Sequence, residues 1–324
     1  MLKKGTRDRM TGSVQGSAEH RTAPVHKRIV ITADGVELVG DRFGDPSDPP
    51  IVLLHGGGQT RHSWRSTAAD LAAGGWCALT MDLRGHGESG WSPNGYYGLD
   101  RFAEDVITIV EAIGQRPVLI GASLGGNSSL AALGRRPDLA LGLVLVDVSP
   151  FLQPAGTDRI RDFMTNRAAE GFGSLDEVAD AIAEYLPHRP RPKNLDGLRK
   201  NLRKVGSRWY WHWDPAFLAT PSDQAVQRNT LIDPVGLGAA ASSLRVPTLL
   251  VRGGESDVLS VEDSVRFLHL VPHAEFATVA GAHHMVAGDD NAVFETVLSD
   301  FLARRICSRL DLPGFAATEL TVRP

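Results

Sequence analysis

Three side chains far apart along the chain, a serine, a histidine and a carboxylate, have the types and settings needed for acyl transfer. Ser123 stands in Gly121-Ala122-Ser123-Leu124-Gly125, the spacing G-x-S-x-G. The apolar run 118–120 before it reads as a buried strand, and a helix-like segment follows it. A serine on such a corner is held in a cramped backbone geometry with its hydroxyl off the sheet edge. The flanking glycines remove a Cβ that would strike the neighbouring strand or helix. The pattern alone recurs by chance in any chain containing glycine and serine, so its meaning depends on its company.

A serine nucleophile needs a base, and the base needs an orienting group. Downstream, the strand-like run 246–251 leads into Arg252-Gly253-Gly254-Glu255-Ser256-Asp257, and the run 275–279 leads into Ala280-Gly281-Ala282-His283-His284-Met285. The chain order is therefore Ser, Asp, His, unlike the chymotrypsin and subtilisin orders. All three would lie in loops at the carboxyl ends of parallel strands, where open α/β sheets place their ligands. Asp257 is the expected orienting acid. Asp147, which ends the run 143–146, is its rival, although a carboxylate at a strand end can equally cap a turn. His283 and His284 are both candidates for the base. Paired histidines also suggest metal, but neighbours in a loop point apart and no Cys/His/Asp cluster at ligand spacing accompanies them.

The oxygen that becomes negative during acyl transfer needs aimed donors. The run 51–54 ends in His55-Gly56-Gly57-Gly58, and the expected donors are the backbone N–H groups of Gly57 and of Leu124, the residue after the serine. The plain alternative is that these glycines only make a tight turn. A second glycine pattern, Gly85-His86-Gly87-Glu88-Ser89-Gly90, fits a dinucleotide fingerprint, but a loop and not a helix follows it, so it is accidental.

Taken together, these motifs resemble the α/β-hydrolase superfamily across roughly residues 28 to 305. The matching stretches are His55-Gly56-Gly57-Gly58, Asp82-Leu83-Arg84-Gly85-His86-Gly87-Glu88-Ser89, the corner at Ser123, Gly254-Glu255-Ser256-Asp257 and Gly281-Ala282-His283-His284. The resemblance implies a mostly parallel eight-stranded sheet with helices on both faces and a cap inserted after the sixth strand. It puts the base at His284, directly before Met285-Val286, and leaves His283 structural, where many relatives carry glycine. It also implies a cofactor-free serine hydrolase of the esterase type. A serine at position 123 excludes the aspartate-nucleophile dehalogenases and epoxide hydrolases of this fold.

The elements needed to position these groups are legible. Strands and helices alternate through residue 148 and resume near 247, whereas 151–243 shows no convincing strand, only helix-like periods broken by prolines. The expected organisation is one catalytic core, 28–150 and 244–306, with a helical cap at 151–243. A polar lead, 1–27, reads as disordered and lacks the apolar stretch of a secretory signal, and the tail 307–324 is uninformative. One-sided stripes predict a helix over 99–113 that stops at Gly114, and another near 293–302. Hydrophobic content of 42% suits a globular chain with a sizeable core. The net charge of −4 makes no case for nucleic-acid or membrane partners. Two cysteines, Cys77 and Cys307, make no disulfide framework and fit a cytoplasmic location.

Within the cap, Arg189, Arg191, Lys193, Arg199, Lys200, Arg203, Lys204 and Arg208 precede Trp209-Tyr210-Trp211-His212-Trp213. The plain expectation is a solvated basic face and aromatic anchors. The sharper one is a small-molecule ester carrying a free carboxylate held by cap arginines. Alternatives with the same triad are a carbon–carbon bond hydrolase of anionic dienoates and a perhydrolase or acyltransferase. A receptor that turns over little substrate is the alternative of another class.

Overall fold

Five short strands, β3 (Pro50–Leu54), β4 (Cys77–Met81), β5 (Val118–Ala122), β6 (Gly142–Val146) and β9 (Thr248–Gly253), have every residue buried. That is what continuous apolar runs covered on both faces by helices should do. The computed structural model describes residues 26–218, 230–286 and 292–309. Two antiparallel strands, β1 (His26–Ala33) and β2 (Val36–Phe43), extend one edge, and β10 (Glu275–Val279) closes the other. The sheet order is β1-β2-β4-β3-β5-β6-β9-β10, and every pair from β4 onward is parallel.

Alternation along each strand sends side chains into two separate cores. Val52, Leu54, Leu119, Leu143, Leu145 and Leu250 face one side, with α2 (Leu99–Ile113), α3 (Leu124–Arg135), α6 (Pro234–Ser242) and α7 (Val261–Leu270). Ile51, Leu53, Val118, Ile120, Val144, Val146 and Val251 face the other, with α1 (Arg65–Ala73) and α8 (Ala292–Arg305). The helix expected over 99–113 forms with those bounds, and Gly114 ends it at φ 73, its N–H reaching the carbonyls of Val110 and Glu111. In α8 the buried face is Phe294, Leu298, Phe301 and Leu302, while Val293 is exposed, so the apolar stripe is narrower than the sequence suggests.

Between β6 and β9 the chain builds α4 (Pro154–Thr165), α5 (Leu175–Tyr185) and a hairpin of β7 (Leu202–Val205) and β8 (Arg208–Trp211). The expectation of a wholly helical segment missed that hairpin. Its strands are four residues each and interrupted by charges, too short for a period-two signal to register. α6, also expected in the cap, packs its Leu237, Ala240 and Ala241 into the core beside α3. The expected lead and tail lie outside the described residues except at their inner ends. There β1 already starts at His26, and a 3-10 turn, Cys307–Arg309, follows α8. No helix among the described residues is long and apolar enough to cross a membrane.

α3 approaches the sheet so closely that glycine is required. A Cβ on Gly125 would lie 2.5 Å from the carbonyl oxygen of Leu54 in β3, and one on Gly121 would lie 2.4 Å from the backbone of Gly125 and Gly126. Gly125→Ala must therefore push α3 off the strand that precedes the 55–58 loop. We expect a loss of about 1–3 kcal/mol or more, read as a lowered melting temperature in a thermal scan. An unchanged melting temperature would show that the helix can yield.

Candidate active site

Ser123 sits at φ 47 and ψ −114, a left-handed conformation that costs energy for any residue with a Cβ. Its surroundings over-determine it. The Ser123 N–H donates to the carbonyl of Val146 at the end of β6 (3.1 Å), the Gly125 N–H to that of His55 (3.1 Å), and the Asn127 N–H to that of Ser123 (3.0 Å). Although Ser123 occupies the N-cap position of α3, its side chain makes no capping bond. The hydroxyl is thus presented at the corner without being consumed by the helix. Leu124 is the first residue of that helix, where backbone N–H groups have no partner within the helix.

His284 and Asp147 come from the loops after β10 and β6, the strands on either side of β9. His284 Nδ1 lies 2.7 Å from Asp147 Oδ2, with the carboxylate fully buried and the imidazole 11% exposed. A carboxylate accepts, so Nδ1 carries the proton and Nε2 is left as the nitrogen able to take one. Asp147 follows β6, itself at φ 52, and its N–H donates to the Val251 carbonyl of β9 (2.7 Å). Its Oδ1 accepts the Gly253 N–H (2.8 Å), and its Oδ2 also accepts the Ser256 hydroxyl (2.5 Å). The histidine loop folds tightly over the end of β9. A Cβ on Gly253 would meet the carbonyls of His283 and Ala282 at 2.6 and 2.7 Å.

Asp257, the expected orienting acid, is not the partner of His284. Its carboxylate bonds the Arg159 guanidinium of α4 (2.7 Å), and both side chains are nearly half exposed. The two acids end up in opposite settings because β6 and β9 are adjacent. The Asp147 side chain turns inward between the strand ends, while the 256–259 turn carries Asp257 outward to the cap. His283 stacks on His188 of the cap, with ring centroids 3.5 Å apart.

The glycine loop after β3 divides its amides. The Gly56 N–H donates to the Gln59 side chain (3.0 Å) and is occupied, and Gly56 also abuts Ser123, since a Cβ there would lie 3.3 Å from the Ser123 Cβ. Gly57 faces the cap, where a Cβ would have Phe217 and Met164 as neighbours just under 4 Å away, and Gly58 lies against Met164. The loop therefore touches Ser123 through Gly56 and apolar cap side chains through Gly57 and Gly58.

Three buried histidines, to which the sequence assigns no role, stand behind this loop. His55 Nε2 accepts the Leu83 N–H (3.0 Å), so its Nδ1 donates to the Gly56 carbonyl (2.8 Å). His212, from the cap, accepts the Gly87 N–H at Nδ1 (2.7 Å), so its Nε2 donates to the Gly58 carbonyl (3.2 Å). His86 lies between them, its ring 5.3 Å from His55 and 5.8 Å from His212. Burial pushes His55 down to about 4 and His86, which also feels His55, down to about 3; burial takes His212 well below the usual range. His55 and His86 belong to motifs visible in the sequence, but nothing in the cap sequence marks His212.

The structure thus holds a serine on a strained strand-to-helix corner and, at the carboxyl edge of the same mostly parallel sheet, a histidine–carboxylate pair, the groups that acyl transfer requires. The α/β hydrolase fold family matches residues 49–290, and the chain belongs to that family. Esterase Rv0045c of Mycobacterium tuberculosis is 28% identical over 259 residues, covering 78% of this chain and 82% of its own. The sn-1-specific diacylglycerol lipase ABHD11 of Mus musculus is 29% identical over 276 residues, covering 80% and 83%. Among solved structures, that of E-2-(acetamidomethylene)succinate hydrolase superimposes with a TM-score of 0.74 over 86% of this chain and 99% of its own. At 21% identity it speaks for the fold alone.

Two outcomes follow from this geometry. Asp147→Asn should lower kcat by about 10³–10⁴-fold, because an amide leaves the imidazole in the wrong tautomer, whereas Asp257→Asn should stay within about tenfold. Steady-state rates on a chromogenic ester distinguish them, and the reverse ranking would contradict the pairing. The buried histidines set a pH trend. Their folded pKa values are depressed, so the unfolded chain binds more protons below about 6.5 and their contribution to stability falls as pH drops from there toward 4. Melting temperature should fall over that window, and less so in His86→Phe; equal slopes would contradict the assignment.

Proposed function

We propose that the protein hydrolyses a carboxylic ester through an acyl-enzyme on Ser123. That the chain is a hydrolase of ester bonds agrees with its family and with its named esterase and lipase relatives. The observation that supports the mechanism is the Asp147–His284 bond, which leaves Nε2 as the proton acceptor. In this reading His284 Nε2 takes the Ser123 proton as Oγ bonds the acyl carbon. The amides of Gly57 and Leu124 hold the oxyanion, and His284 then returns the proton to the leaving alcohol. Asp147 keeps the imidazole tautomer and stabilises the imidazolium. Water, activated by the same histidine, attacks the acyl-enzyme and releases the acid.

The substrate class follows from what borders Gly57. Met164 and Phe217 are buried apolar side chains beside the proposed oxyanion loop, and they suit an ester with an apolar group next to the scissile carbonyl. A substrate carboxylate held by cap arginines finds less support. Arg191 pairs with Asp176 and Asp180, Arg199 with Asp196, and Arg208 with the carbonyls of Glu170 and Gly171. Arg203 lies over Trp91, and Lys204 over Trp209. These cations staple the cap to itself and to the 91–97 loop.

Ser123→Ala should abolish ester turnover, by about 10⁴-fold or more, without lowering the melting temperature. Reaction with a fluorophosphonate followed by peptide mapping should place the adduct on Ser123. Wild-type turnover by Ser123→Ala, or an adduct elsewhere, would refute the mechanism.

A further inference from the structure

The carboxylate of Asp147 has a second side-chain partner, Ser256, which stands in the 254–257 motif without a role assigned to it. Ser256 Oγ lies 2.5 Å from Asp147 Oδ2, the same oxygen that accepts from His284. The Ser256 oxygen in turn accepts two backbone amides, Val258 N–H at 3.1 Å and Leu259 N–H at 3.2 Å. Those amides fill the lone pairs of the hydroxyl, so its single hydrogen has one place to go, the carboxylate. The donor is therefore oriented before any substrate arrives.

The turn that carries Ser256 is braced from the cap. The Gln153 N–H donates to the Val258 carbonyl (2.9 Å), the Gln153 side chain bonds Asp263, and α4 comes so close that a Cβ on Gly156 would lie 2.3 Å from the Asp257 carbonyl. Arg252, on β9, bonds the Leu259, Gly254 and Ser256 carbonyls.

We propose that Ser256 is a positioning residue of the triad, whose hydroxyl shares Asp147 Oδ2 with His284 and limits how strongly the carboxylate holds a proton on the imidazole. This rests on the acyl-enzyme reading above. A hydrogen bond to a carboxylate stabilises its ionised form and draws charge from the shared oxygen. Without the hydroxyl, the Asp147–His284 pair as a whole binds its proton more tightly. More of the enzyme is then imidazolium at a given pH and unable to accept the serine proton. The other charged groups around the pair are committed elsewhere. Asp257 pairs with Arg159, Arg252 with backbone carbonyls, and His283 stacks on His188. Glu255, on the same turn, donates its own N–H to Ala282 and is not bonded to the triad among the described residues.

The test is the rate of covalent labelling by a fluorophosphonate as a function of pH, which requires no knowledge of the natural substrate. In Ser256→Ala the acid limb should move to higher pH by about half a unit or more, a loss of about threefold at pH values below the limb. Ser256→Thr, which keeps a hydroxyl, should return the limb toward the wild-type position. A purely structural role for Ser256 would lower the melting temperature and the rate at all pH values but leave the limb in place, and that result overturns the proposal. If Ser256→Ala is too unstable, Ser256→Cys, a far weaker donor, must show the same shift, and an unmoved limb overturns the proposal there too. Wild-type protein that is not labelled at Ser123 overturns the acyl-enzyme reading itself, so the two failures are distinguishable.

Discussion

A carboxylate with no exposure to water is tolerated only when donors replace its hydration, and Asp147 meets that condition at the end of β6. Its donors are the Gly253 N–H at the end of β9, the Ser256 hydroxyl in the turn after β9, and His284 Nδ1 in the loop after β10. The parallel register of β6, β9 and β10 therefore does more than close a sheet. It brings one acid, one amide, one hydroxyl and one imidazole to the same point. The glycine at 253 lets the histidine loop lie directly on the strand end.

The serine is held from the opposite side of the same strand. The Ser123 N–H bonds Val146, one residue before Asp147, so the Ser123 corner and Asp147 are tied to one backbone segment. The cap then touches both halves. Met164, Phe217 and His212 reach the 55–58 loop, while Gln153, Gly156 and Arg159 contact the 256–259 turn. The exposed Arg159–Asp257 pair adds little by itself. The backbone bond and the glycine contact fix α4 more firmly. Displacing the cap would thus disturb the apolar wall, the 55–58 loop and the support of Asp147 together.

Most of the fold is legible in the sequence because its central strands are continuous apolar runs ending in glycine turns, and because helices such as α2 show one-sided stripes with a glycine stop. The Ser123 corner and the 55–58 loop are legible as motifs, since each sits where a motif demands a particular backbone shape. The residues alone leave His283 and His284 open, and only the family resemblance selects His284. The choice between Asp147 and Asp257 is not legible. Both follow buried strands that lie side by side, and the deciding factors are which side chain turns inward and where Ser256 and Arg159 stand, contacts made by residues about a hundred positions apart. The cap hairpin and His212 are hidden likewise. Four-residue strands carry too few positions for periodicity, and the role of His212 comes from the Gly58 carbonyl and Gly87 amide, 154 and 125 residues away.

A crystal structure of the protein after reaction with an alkyl fluorophosphonate tests the central claim most directly. Phosphorus is expected on Ser123 Oγ, with the phosphoryl oxygen within hydrogen-bond distance of the Gly57 and Leu124 amides and His284 Nδ1 still bonded to Asp147. An adduct on another residue, or His284 swung onto Asp257, would contradict it.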